Sequence, residues 1–156
     1  MAVNNAAIIL LSILAFSNTL ALRNPIDYRE CKKASQSDIS SVDIEPFQKD
    51  ARGRYIFKKG SNVTATVKFT PKVMVKEATV HLYVILGRMI EMKVPYPNAC
   101  EHHNIKCPLE PNVEYTMIGT IEVMKNLPSL PFIVQLDVEL PDKTYLYCFQ
   151  MLVHIM

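Results

Sequence analysis

The sequence predicts an all-β chain folded as a two-sheet sandwich, and three observations predict it. Apolar and polar residues alternate with a period of two through most of residues 63–155, the mark of half-buried antiparallel strands. Clusters of Gly, Pro, Asn and Asp separate the alternating runs at short intervals. No stretch carries the longer period of an amphipathic helix. Six to eight strands at this spacing suit two packed sheets. The chain has no Trp, so the Cys–Trp–Cys signature of antibody-type domains is missing.

The N-terminus sets the compartment. The first charged side chain is Arg23, and "AAIILLSILAF", Ala6 to Phe16, is an apolar run too short to span a bilayer as a helix. Thr19 and Ala21 occupy the −3 and −1 positions of a cleavage point. Residues 1–21 are therefore expected to be a secretory signal peptide, and residues 22–156 one domain. The expected location is extracellular, or the endolysosomal lumen that secretory proteins also reach. Lys and Arg number 17 against 15 Asp and Glu, mixed along the chain for a net +2. That balance argues against a nucleic-acid surface.

The strands follow in order. "DISSVDI" at 38–44 is a short early one. After the turn "KKGSN", the run "VTATVKF" puts Val63, Ala65, Val67 and Phe69 on one face. "ATVHLYVIL" does the same for Ala78, Val80, Leu82, Val84 and Leu86. "IEMKVPY" aligns Ile90, Met92, Val94 and Tyr96. "VEYTMIGTIEV" aligns Val113, Tyr115, Met117, Gly119, Ile121 and Val123. "FIVQLDVEL" sets Phe132, Val134, Leu136, Val138 and Leu140 against Gln135, Asp137 and Glu139, which should face water. "YLYCFQMLVHI" is apolar on both faces and should be a deeply buried strand. "NVT" at Asn62–Thr64 is an N-glycosylation sequon at the accessible start of a strand.

Little in the chain suggests catalysis. There is no Gly-rich phosphate loop and no GxSxG elbow, and the acidic residues are scattered singly in the manner of solvated faces. No cofactor is implied, and the expectation is a protein that is not an enzyme. His81 and His154 fall within strands and read as surface or edge positions. Lys49, Arg52, Arg54, Lys58 and Lys59 read as a solvated basic loop and hairpin. The stretch "NACEHHNIKCPLEP" raises a metal site at Cys100, His102, His103 and Cys107. The cysteines are too far apart for a zinc knuckle, and a secreted chain oxidises its thiols. A disulfide-closed loop with His102 and His103 as exposed passengers is the better reading. The four cysteines, Cys31, Cys100, Cys107 and Cys148, allow three pairings, and spacing does not choose among them. Pairing Cys100 with Cys107 would leave Cys31 for Cys148, a closure that stabilises by roughly 4–5 kcal/mol in the chain-entropy picture.

The order of features is specific: an early Cys, a β-rich run, "VPYPNAC", "KCPL", a strand from about Tyr115, "LPSLP", and a final "LYCFQMLVHI". Over residues 28–156 this resembles the ML lipid-recognition family. It is most like the branch of Niemann–Pick type C cholesterol carriers and their arthropod relatives, and group-two mite allergens have a similar "NAC…KCPL" element. The resemblance implies an immunoglobulin-like sandwich whose sheets splay around an internal apolar cavity, with disulfides Cys31–Cys148 and Cys100–Cys107. A third family disulfide has no counterpart in "DIEPFQKDARGRYIF", so packing through Phe47 and Ile56 would have to hold that loop.

The resemblance also implies lipid-lining positions. Tyr96 stands at the aromatic of the family's "VPFP", and Val123 and Leu127 stand at a valine and a tyrosine of its tunnel. Val123 also lies on the apolar stripe of its run. Phe69, Val80, Leu82, Val134, Leu136, Tyr147 and Phe149 on the inward stripes would supply the other walls. The implied function is a secreted, monomeric carrier of a sterol, fatty acid or other small apolar lipid. It would pass its ligand between membranes or to a membrane sterol transporter. The competing expectation is an Ig-like module acting through protein contacts, in adhesion or lipid-dependent immune recognition. Alternation alone does not separate a cavity from a filled core.

Overall fold

Alternating runs become strands where β-branched and aromatic residues dominate. The computed structural model describes residues 26–156, so the expected signal peptide at 1–21 lies outside the described residues. Nine strands run through them: β1 (Arg29–Glu30), β2 (Ser37–Glu45), β3 (Tyr55–Phe57), β4 (Asn62–Pro71), β5 (Thr79–Leu86), β6 (Arg88–Met92), β7 (Tyr115–Glu122), β8 (Pro131–Glu139) and β9 (Tyr145–Ile155). No helix occurs among the described residues.

The strands make two sheets. The larger has the order β1-β9-β8-β5-β6, with β3 also against β9, and the smaller has the order β2-β4-β7. Every pairing is antiparallel except that of β3 with β9. The core lies between the sheets. Val63, Val67 and Phe69 of β4 face Val80, Phe132, Val138, Tyr147 and Phe149 of the larger sheet as one buried cluster. Burial of such side chains is the main driving force for the sandwich.

β9 is covered on both faces, as its composition predicts. Leu146, Tyr147, Cys148 and Phe149 are all buried in succession. The N-terminal segment covers the outer face, through the Cys31–Cys148 disulfide and the Ser37 hydroxyl, which donates to the Leu146 carbonyl at 2.6 Å. One end of the sandwich, the base, is tied by backbone. The Val75 amide donates to Leu109 O at 3.0 Å, the Leu109 amide returns the bond to Val75 O at 2.9 Å, and the Ala99 amide donates to Ala78 O at 2.9 Å.

Four expectations are corrected. The run 90–96 is not one strand: β6 stops at Met92, because Pro95 and Pro97 lack the amide a ladder needs. Leu86 and Val113, on inward stripes, are exposed; Leu86 adjoins the tight turn at Gly87, whose φ is 71°. Gln135 and Asp137 do not face water; they are 4% and 1% exposed on the outer face of β8. A relay covers them: Arg29 Nη2 donates to Gln150 Oε1 at 3.0 Å, Gln150 Nε2 to Gln135 Oε1 at 2.7 Å, and Gln135 Nε2 to Asp137 Oδ2 at 2.9 Å.

The fourth concerns the loop between β2 and β3. Ile56 is buried, but Phe47 is half exposed, its ring edge-on to Tyr55 at 5.9 Å. The ties are polar instead. Asp50 accepts from the Arg52 amide at 2.9 Å, the Arg54 amide at 3.0 Å and Arg54 Nε at 2.6 Å, with His154 Nδ1 at 3.3 Å. Lys49 pairs with Asp27 at 2.6 Å. Two members of the supposed solvated basic run, Lys49 and Arg54, are thus structural.

Candidate functional site

The inward stripes do not close completely. Two apolar spaces remain between the sheets, of about 70 Å³ and about 100 Å³. The first lies mid-sandwich, walled by Ala65, Val67, Met117 and Gly119 of the smaller sheet and Val80, Leu136, Tyr147 and Phe149 of the larger. The second lies toward the end away from the base, walled by Val84, Val123, Leu127 and Phe132. Phe57, Leu82, Ile121 and Val134 border both. These four side chains are the partition between two parts of one apolar interior.

Nine of the ten expected lining residues stand on these walls. Val80, Leu136, Tyr147, Phe149 and Tyr96 border the first space, Val123 and Leu127 the second, and Leu82 and Val134 both. Phe69 borders neither: it is 0% exposed and packs behind Tyr147, ring centroids 5.0 Å apart. The sequence reading missed Phe57, at the end of β3, and Ile44, on β2. It also passed over Met117 and Ile121, although alternation had put both on the right stripe.

Both spaces reach the surface along one edge. β6 pairs only with β5, and β7 only with β4, so among the described residues no ladder joins the two sheets here. The lip on the larger-sheet side is Met92, Lys93, Val94, Pro95 and Tyr96; the lip on the smaller-sheet side is Gly119 to Val123. Tyr96 is 54% exposed, not a buried wall. It sits at the mouth with the His102 ring 4.4 Å away.

The disulfide loop shapes this mouth. Cys100 and Cys107 are bonded to each other, so their sulfurs are not available to a metal as free thiolates. His102 has a φ of 61° and is exposed. His103 is not the exposed passenger expected: it is 5% exposed and borders the first space. Its Nε2 lies 2.7 Å from Tyr96 O and its Nδ1 3.2 Å from Ile118 O. Its own carbonyl accepts from the Ile118 amide at 2.9 Å, and Asn104 Nδ2 donates to Thr116 O at 3.2 Å. The loop thereby covers the first half of the outer edge of β7 and ties it to the Tyr96 segment. Nothing in the sequence marked His103 for this except its place between the two cysteines.

Polar groups are few. At the mouth is the Tyr96 phenol; the Thr120 hydroxyl lies on the outer face of the smaller sheet, 2.9 Å from Thr64 Oγ1. Inside is the Tyr147 hydroxyl. An apolar interior with a few polar groups is the pattern of a small-molecule site, and the arrangement offers burial of hydrocarbon rather than a reacting centre. Asn62 is exposed at the start of β4.

A family model described as the ML domain matches residues 25–155. Mouse NPC intracellular cholesterol transporter 2 is 24% identical over 151 residues, which cover 96% of this chain and 95% of that protein. The ecdysteroid-regulated 16 kDa protein of Manduca sexta is 26% identical over 125 residues, covering 78% and 82%. Among solved structures, a Niemann-Pick type C2 protein from Japanese carpenter ant superposes with a TM-score of 0.75 at 21% identity, covering 83% of this chain and 98% of that one. Chicken MD-1 complexed with lipid IVa gives a TM-score of 0.53 at 12% identity, covering 81% and 87%.

Proposed function

The chain belongs to the ML domain family, and from that premise we propose that it is a non-catalytic carrier that holds one sterol or similar apolar lipid between its sheets. The observation that carries this reading is the apolar interior opening along an edge where no backbone ladder joins the sheets. Transfer of a ligand typed by hydrocarbon is driven by burial, at about 25 cal/mol per Å² of apolar surface removed from water. The mouse relative named for cholesterol transport, and a neighbour holding a lipid, support the ligand class.

The two spaces are small beside the roughly 300–1,000 Å³ of a pocket for a drug-sized ligand. Uptake therefore requires the β6 and β7 lips to part and the partition of Phe57, Leu82, Ile121 and Val134 to move aside. The base, tied through Val75 and Leu109, stays closed. Delivery to a membrane or a membrane transporter, a secreted or endolysosomal location, a glycan on Asn62 and a signal peptide at 1–21 all belong to the same proposal.

The test is uptake. Delipidated, oxidised protein is mixed with a fluorescent sterol and, separately, a fluorescent fatty acid. Saturable enhancement with at least one is expected. If neither is taken up by folded protein, the carrier reading fails and an Ig-like protein-contact module takes its place.

A further inference from the structure

The inner end of the first space, its floor, is built by Val67 and Met117 of the smaller sheet and Val80 and Tyr147 of the larger. Val67 and Met117 are cross-strand partners, and Val80 and Tyr147 both pair with Val138. Behind this floor Phe69 and Val138 are each 0% exposed. The floor is apolar save for one hydroxyl. Tyr147 is fully buried, and its hydroxyl donates to Met117 Sδ at 3.0 Å. Buried tyrosine hydroxyls ordinarily find a good partner; a thioether is a weak acceptor. Burial alone pushes the phenol up from its ordinary value, so the group remains a donor throughout the physiological range. Its oxygen lone pairs also remain able to accept.

At the other end, the mouth presents the Tyr96 phenol, while both ring nitrogens of His103 are engaged by carbonyls. Hydrogen-bonding groups thus stand at the two ends of an otherwise apolar space. We propose that Tyr147 is a specificity-determining residue that selects lipids with an oxygen at the end that enters first, in addition to one at the mouth. The matching chemical class is a sterol hydroxylated near the end of its side chain. The Tyr147 hydroxyl exchanges its weak bond to Met117 for a stronger one to the ligand oxygen, whereas a plain hydrocarbon end leaves it as it is. This rests on the carrier reading and sharpens it.

The test uses the whole oxidised protein and a fluorescent sterol displaced by cholesterol or by cholesterol hydroxylated at its side-chain terminus. Wild type is expected to favour the hydroxylated sterol by about threefold to tenfold, the span of one buried neutral hydrogen bond. Tyr147→Phe should erase that preference and leave cholesterol affinity in place. Equal affinities in wild type, or a preference that survives Tyr147→Phe, overturns the proposal while the carrier reading stands. Should Tyr147→Phe fail to fold, Met117→Leu keeps the hydroxyl and removes its resting acceptor; the preference should then widen, and an unchanged one overturns the proposal. If neither sterol displaces the probe from wild type, this inference falls, and the carrier reading is decided separately by uptake of the fluorescent sterol or fatty acid.

Discussion

His103 meets two backbone carbonyls, Tyr96 O and Ile118 O, from the two sides of one ring. A neutral imidazole donates to one at a time, a protonated one to both. His103→Ala leaves both acceptors short of this partner. It should cost about 1–3 kcal/mol in urea unfolding and speed ligand exchange; an unmoved midpoint and exchange rate would refute the tie. Asp137 is the second telling residue. Burial pushes its carboxyl up, against the Gln135 hydrogen bond and the nearby His81, with Glu139 and Glu91 adding to the rise; its Oδ1 has no hydrogen-bond partner. The folded chain then binds this proton more tightly than the unfolded chain. Stability falls as pH rises from the ordinary 3.8 through the raised folded value. Asp50 has the opposite sign. Burial pushes it up, but bonds from Arg54, Arg52 and His154 outweigh that and hold it at about 2, so its contribution is full above the ordinary 3.8 and is lost as pH falls from there through about 2. Wild type is expected to be more stable in mildly acid than in neutral buffer, and Asp137→Asn should flatten the slope. Urea midpoints across that range decide it, and a slope unchanged by Asp137→Asn would assign the effect elsewhere.

At the scale of elements, β4, β5 and β8 were legible because each alternates between apolar and polar residues, and β9 because it is apolar on both faces. Their stripes also carried most of the lining residues. What was illegible depends on neighbours distant in sequence. Gln135 and Asp137 read as solvent-facing because nothing in β8 shows that Gln150 and Arg29 will cover them. His103 read as exposed because a loop has no period to break. Tyr96 continued the stripe of β6 only on paper, since Pro95 and Pro97 end the strand. Val123 was legible twice, by alternation and by resemblance, and its side chain borders the second space. Val123→Trp should therefore cut lipid uptake severalfold without lowering the unfolding midpoint by more than about 1 kcal/mol. A filled core would instead show overpacking losses of roughly 1–3 kcal/mol. The two disulfides separate in the same way. The Cys31–Cys148 bond spans 117 residues and the Cys100–Cys107 bond 7. Chain entropy gives about 4–5 kcal/mol to the first and about 2–3 kcal/mol to the second. Replacing the short pair with serine should loosen the Tyr96 segment and change ligand kinetics more than stability.

At the scale of the molecule, the two ends behave differently. The base is fastened by reciprocal amide bonds between Val75 and Leu109, while no ladder joins the lips of β6 and β7 among the described residues. Amide hydrogen exchange should report this directly. Thr120 to Glu122 and β6 are expected to exchange well before Val75 and Leu109, and bound lipid should slow the lips and leave the base unchanged. Uniform protection in the empty protein would count against opening at this edge. The same edge has a consequence for life in a crowded fluid. A strand flank without a partner is a template on which a strand of another molecule can add. The lips carry Arg88, Glu91 and Lys93 on one side and Glu122 and Lys125 on the other, beside exposed Met89, Ile90 and Met124. Charge of that kind disfavours strand addition without sealing the edge. The edge proposed to admit a lipid is thus also an open strand flank, and those five charged side chains disfavour its pairing with a second copy of the chain.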